Sequence, residues 1–438
     1  APSLKPNMPD NARFRWIVAR TPGAEQPEPT RDSHARLITA YQEAQKHVRN
    51  VVSALDPKDH GDTLNAWVSF VEHKALVVLL RVPNDANAYK MFETLNDRGL
   101  RTSQADLIKN YLLGRSGERL RELQDRWAYM RGALESLEEE NITVDFLRHA
   151  LIVIGGFIRE AQVYDAVQSA VKSEQSAVTF TSSLETLANT YVAVFNPEHE
   201  KWNSYPDAVR RSIEVFNLLN IKPMRPLLLA IAAKLGPNEC AKAFQFLVSL
   251  GVRLLIASST RSGSVEHPLA ATATEVFTGK LTTSAAIKQS IAKIVPTDSV
   301  FRIEFETARV SKAQLARYYL RSLERAAKDE SEPWFIPMDD KSVINLEHIL
   351  PKRPEGNWNE FNEEETDLFV NRLGNQALLR ASNNSDLRSA RVSDKKKGYA
   401  DSPYVLTSQI AELDAWEPSA VVGRQKVLAE LAVKAWPA

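Results

Sequence analysis

The stretch SVINLEHILPKRPEGNW, Ser342 to Trp358, is where a chain of otherwise helical character changes period. Its run from Val343 to Leu346 reads as a short strand. Glu347 and His348 then stand side by side, and Pro351 ends the element because proline cannot continue a ladder. Downstream, NRLGNQALLRASNNSDLRSARVSDKKKGYADS sets Asn375 after a glycine, then an apolar run Ala377 to Leu379, the pair Asn383-Asn384 and a basic segment. The expected order is strand, loop, strand, helix.

Upstream, helical spacing dominates. VDFLRHALIVIGGFI, MRPLLLAIAAKL, CAKAFQFLVSLGVRLLIA and KAQLARYYLRSLERAAK carry apolar residues at the 3.6 period, which predicts an α-helical middle domain over residues 115–330. A charged, Pro-marked stretch, Lys328 to Asp340, sets the expected boundary to a C-terminal domain at 331–438. Before residue 115 the run Ala75 to Val82 reads as a buried strand. FETLNDRGLRTSQADLIKN, Phe92 to Asn110, follows as helix, tight turn at Asn96 to Gly99 and a second helix with Leu107, Ile108, Tyr111 and Leu112 as its buried stripe. The fold class expected is mainly α, with α/β or α+β character at the two ends.

The chain of 438 residues carries 55 Lys plus Arg against 55 Asp plus Glu, so its global charge steers it to neither nucleic acid nor membrane. Any basic surface must be local. Residues 372–399 hold seven basic side chains against two acidic ones, a segment suited to phosphate contacts, with Arg388, Arg391, Lys395 and Lys396 as the expected DNA-backbone ligands. Cys240 is the sole cysteine, which excludes an intrachain disulfide and fits a reducing, cytoplasmic setting. No run has the length of a membrane helix.

Phosphodiester hydrolysis needs a base to activate water and a cation to stabilise charge on phosphorus and the leaving oxygen. His348 is the candidate base. A hard cation takes a carboxylate, an amide oxygen, water and phosphate oxygens, although adjacent strand residues need a bend to converge on one ion.

LEHILP, a Trp, LGNQALL, an Asn, KKxxYxxS and a closing helix with Arg and Trp occur in the order seen in the C-terminal HNH nuclease domain of the GmrSD-type, modification-dependent restriction endonucleases, which this chain resembles. Asn375 follows His348 by 27 positions and Asn384 follows Asn375 by 9, a spacing similar to that of a ββα-metal finger. The resemblance implies His348 as general base, Asn375 as the residue fixing loop and base, and Glu347 and Asn384 as Mg²⁺ or Mn²⁺ ligands. Asn383 leaves the last ligand ambiguous by one position. Gln376-Ala377 departs from the Leu-Thr common after the Gly-Asn pair.

FETLNDRG and LIKN resemble the rear of the ParB-like, nucleotide-hydrolysing sensor domain of the same family, assigned here to residues 1–114. Asn96 and Arg98 are its candidate nucleotide or switch contacts. The Asp-Gly-Gln-Gln-Arg run that carries nucleotide chemistry in that family does not occur in the sequence, so NTP use is expected only if that front part is supplied. The implied activity is a Mg²⁺-dependent DNA endonuclease or nickase of a phage-defence system acting on modified DNA, with a sensor half or a second copy as partner. Two alternatives stand beside it: a DNA-binding or regulatory remnant without turnover, and a helical interaction protein.

Overall fold

In a computed structural model, residues 8–19, 32–53, 55–74, 76, 104–257, 263–329, 344–354, 358–380 and 392–438 are described. Two compact units are present, Ala1–Asn84 and Asp85–Ala438.

The first unit contains α1 (Met8–Ala19), α2 (Asp32–Val52) and α3 (His60–Lys74). Asp10 ties α1 to α2: it accepts from the Ser33 hydroxyl at 2.7 Å and faces His34 at 3.6 Å. The expected strand at 75–82 lies, Leu76 apart, outside the described residues, as do Asn96, Arg98 and the turn between them.

The second unit is mostly helical. Its first part runs through α4 (Gln104–Gly114), α5 (Leu120–Glu135), α6 (Ile142–Gly155), α7 (Val163–Ala170), α8 (Glu174–Phe195), α9 (Asp207–Leu219), α10 (Arg225–Lys234), α11 (Pro237–Ile256), α12 (Glu266–Phe277) and α13 (Ser284–Ser290). Of the expected α4 stripe, Ile108, Tyr111 and Leu112 are buried and Leu107 is half-buried. The stripe belongs to the same hydrophobic core as Trp127, Phe146, Tyr191 and Phe244, so α4 packs with the helices that follow it. Helix starts are set by short polar caps: the Ser173 hydroxyl accepts from Ser176 N, and Thr283 accepts from Ala286 N.

The second part comprises α14 (Asp298–Phe305), α15 (Ala313–Lys328), β1 (Ile344–His348), α16 (Glu363–Phe369), β2 (Gln376–Arg380), α17 (Val392–Ala400), α18 (Val405–Ser408) and α19 (Pro418–Ala435). Among the described residues β1 and β2 form one antiparallel two-stranded sheet, with Ile344 opposite Arg380 and His348 opposite Gln376.

The described residues on either side of the expected 330/331 boundary share one core. One core joins Val215, Val252, Phe301, Phe305, Tyr319 and Leu323 to Ile344 and Leu378 of the sheet and to Trp436 beyond α19. The physical reason is the strong two-faced pattern of α15, whose Ala316, Tyr319, Leu320 and Leu323 are buried. A helix with so wide an apolar stripe must cover something, and the sheet supplies it. Arg253 of α11 fastens the end of the chain: its Nε donates to Trp436 O at 2.7 Å, and its Nη1 to Pro296 O at 2.7 Å.

Candidate active site

Strand alternation decides what the adjacent pair Glu347 and His348 can reach. Cross-strand partners share a face, so Ile344, Leu346 and His348 lie with Leu378 and Gln376, while Glu347 lies with Ala377 and Leu379. The first face meets the α15 core. The second meets a smaller core of Ile349, Leu350, Trp358, Tyr399, Ile410 and Trp416. In the described geometry the two candidate side chains leave opposite faces of one strand, and the bend that would bring them to one ion is not seen between them.

Glu347 is 5% exposed. Its Oε1 accepts from Lys395 Nζ at 2.6 Å and from the Tyr399 hydroxyl at 3.1 Å, both on α17. Burial, followed by the Glu347 charge, holds the Tyr399 phenol well above its ordinary value, so it remains a donor. Lys395 is fully buried, and the expectation that it contacts DNA is corrected. Residues 395 and 399 are one helical turn apart and both face β1, while Lys396 turns half outward and Lys397 fully so. A run of three lysines reads as a solvated face. The signal that separates the first is its spacing to Tyr399.

Asn375 is buried and fully hydrogen-bonded. Its Oδ1 accepts from Leu350 N at 2.8 Å and from Trp416 Nε1 at 3.1 Å; its Nδ2 donates to Leu350 O at 2.9 Å and Val370 O at 3.2 Å. The main chain adds Ile349 N to Asn375 O at 3.0 Å. An amide has two donor and two acceptor positions, and all are used. Asn375 therefore clamps the Ile349–Leu350 turn that follows His348, and its side chain has nothing left to offer a substrate. In this geometry Asn375 acts as a positioning residue.

The clamp is itself gripped from α19. Arg424 Nη1 donates to Gly374 O at 2.7 Å and Gln376 O at 2.8 Å. Enclosure lowers its guanidinium to about 10, a value at which it remains charged. Gln425 accepts from Gly374 N at 3.1 Å and donates to Phe305 O at 2.8 Å and Ala308 O at 2.9 Å. Gly374 is required by this approach, since a Cβ there would lie 2.4 Å from Val421 O. Sequence reading noted an Arg-bearing closing helix and missed these contacts, because their partners are backbone carbonyls of another element.

His348 is half-buried at the end of β1. Burial, then the charges of Lys352 and Lys395, lower it to about 4. The ring is thus neutral near pH 7, with a lone pair able to take a proton. Gln376 Nε2 lies 3.4 Å from His348 Nε2 and donates to Val310 O at 2.9 Å.

As to a metal, Glu347 Oε1 already faces an ammonium, and no group of three or more His, Cys, Asp or Glu among the described residues could hold an ion. Asn383, Asn384, Arg388 and Arg391 lie outside the described residues. The described donor set alone does not make a metal centre.

A two-stranded antiparallel sheet, a helix ion-paired to its first strand and a histidine at the strand end, all clamped from a C-terminal helix, define a compact strand-strand-helix module. Residues 295–431 match the family model described as GmrSD restriction endonucleases, C-terminal domain, and this segment of the chain is a domain of that kind. The match begins before α14, so it takes in the helices whose core is continuous with the sheet. No curated protein matches the chain.

Proposed function

We propose that the module is an HNH-type nuclease centre that hydrolyses DNA phosphodiester bonds, with His348 as general base. The observation that carries this reading is a neutral, half-exposed histidine fixed at a strand end by a turn that Asn375 clamps on all sides. A base must be unprotonated and held still. A phosphate arriving beside it brings negative charge, which raises its affinity for the proton toward the range useful in catalysis. Lys352, exposed and close enough to act on His348, supplies compensating charge.

A divalent cation, Mg²⁺ or Mn²⁺, belongs to this reading and would supply charge stabilisation at phosphorus and the leaving oxygen. Glu347 and Asn384 are the residues that would hold it, and Glu347 Oε1 already accepts from Lys395 Nζ. Action on modified DNA, nicking, a role in phage defence, and a sensor half or second copy as partner belong to the same reading. Supercoiled plasmid, with and without the modified bases of phage DNA, is the direct substrate. The expected outcome is nicked or linear product with Mg²⁺ and none in EDTA.

One observation favours a second reading, a DNA-binding module without turnover: the ammonium at Glu347 sits where a metal is expected. Retention of plasmid without cleavage under every divalent cation tried would select it.

A further inference from the structure

A groove of about 840 Å³ lies on the side of α15 away from the sheet. Six basic side chains line it, Arg211, Lys242, Lys288, Arg321, Arg325 and Lys434, against two acidic ones, Glu214 and Asp329. In a chain with equal numbers of acidic and basic residues this is a local concentration, contributed by α9, α11, α13, α15 and α19.

The arginines show that the arrangement has an electrostatic cost. Arg321 and Arg325 are one turn apart on α15, and like charges at that spacing repel. Burial, and the neighbouring Arg325 charge, lower Arg321, while Tyr318 and Glu214 act in the opposite direction. The Nε of Arg325 is buried with no hydrogen-bond partner among the described residues. A buried guanidinium N–H such as Arg325 Nε, left without a protein acceptor beside a like charge, is satisfied by an anion with several acceptor oxygens. Lys288 is partly engaged, its Nζ donating to Ala438 O at 2.5 Å and lying 5.5 Å from the Phe246 ring centre, and Lys242 pairs with Glu239 at 3.0 Å.

We infer that this groove is a second nucleic-acid contact, a docking track for the phosphodiester backbone of the DNA that the strand-strand-helix module cleaves. The inference rests on the nuclease reading for the identity of the polyanion. Cations distributed over five helices suit a succession of phosphates, where a single phosphate would be held by one convergent fork. Because α15 covers the sheet with one face and lines the groove with the other, DNA held in the groove would be registered to the module by a single rigid helix.

The test is the salt dependence of binding, measured in EDTA by fluorescence anisotropy of a labelled duplex. Each phosphate contact contributes about 0.9 to the slope of log K against log salt. The Arg325→Gln, Lys434→Gln double variant is expected to lower that slope by about 1.8, and Lys242→Gln, on the rim, by about 0.9. An unchanged slope in variants that melt like the parent overturns the inference. So does loss of ATP binding in the double variant with the DNA slope intact, which would make the groove a site for a small polyphosphate. The two readings fail separately: plasmid cleavage with an unaltered slope removes the groove alone, whereas a lowered slope in a protein that never cleaves removes the nuclease centre alone.

Discussion

Asn375 and Lys395 look alike as polar residues near a catalytic histidine, yet each spends its polarity inward. Replacing Asn375 by Ala would orphan Leu350 N, Trp416 Nε1 and two carbonyls in a buried site. Unsatisfied buried groups cost about 1–3 kcal/mol each, so destabilisation of at least about 3 kcal/mol is expected in chemical denaturation. Asn375→Asp should be no rescue, because it turns carboxylate oxygen toward the Leu350 and Val370 carbonyls. A stability within about 0.5 kcal/mol of the parent for either variant would contradict the clamp. Lys395→Gln breaks a buried ion pair and leaves the Glu347 charge uncompensated, with an expected loss of about 3–5 kcal/mol; an exposed DNA contact would cost almost nothing. The sequence marked His348 by its type and, through the family resemblance, Glu347 and Asn375. It did not show which way each side chain turns, since that depends on which face of β1 receives α17 and which receives α15.

The helices and strands were legible where one face is apolar. The stripe of α4 and the two faces of α15 follow from period, and the apolar run before Glu347 marked a strand that in the structure runs on through His348. What period cannot supply is the joint between elements. The 373–375 turn is held by Arg424 and Gln425 through backbone groups that every residue possesses, so no side-chain pattern announces the contact. Gly374 is the one sequence-visible trace of it. Gly374→Ala would drive a methyl into Val421 O and the Gln425 side chain, backbone included, so α19 must shift. The expected result is a lower melting temperature together with reduced cleavage, while Gly423→Ala, on the same helix and facing open space, should leave both near the parent values. Equal behaviour of the two alanine variants would show that the approach is not tight.

Across the second unit, acid sensitivity follows from the buried His149 and the half-buried His348. His149 accepts or donates at 2.8 Å to the Tyr191 hydroxyl; burial, then Arg225, Arg148 and Lys222, lower it to about 3. His348 is lowered to about 4. Both values lie below the ordinary 6.5, so the unfolded chain takes up protons first as pH falls. Their contribution to stability is full above about pH 6.5 and is lost as pH falls through the folded values. The melting temperature should therefore drop between about pH 6.5 and about pH 4, and His149→Gln should flatten that drop. A melting temperature constant over this interval would show that neither histidine is held neutral by the fold. The continuity of the core across residue 330 was not legible in the sequence, because a charged, Pro-marked stretch looks like a linker whatever the flanking helices do in space.

The central claim is that His348 takes the proton from water at a DNA phosphate, and single-turnover cleavage of plasmid by His348→Ala tests it most directly. Loss of a general base predicts a fall of about 10²-fold or more in the cleavage rate, with DNA affinity and melting temperature close to the parent. A variant that folds, binds and still cleaves within about twofold of the parent would contradict a general-base role, since that role alone predicts a loss of at least about 10²-fold.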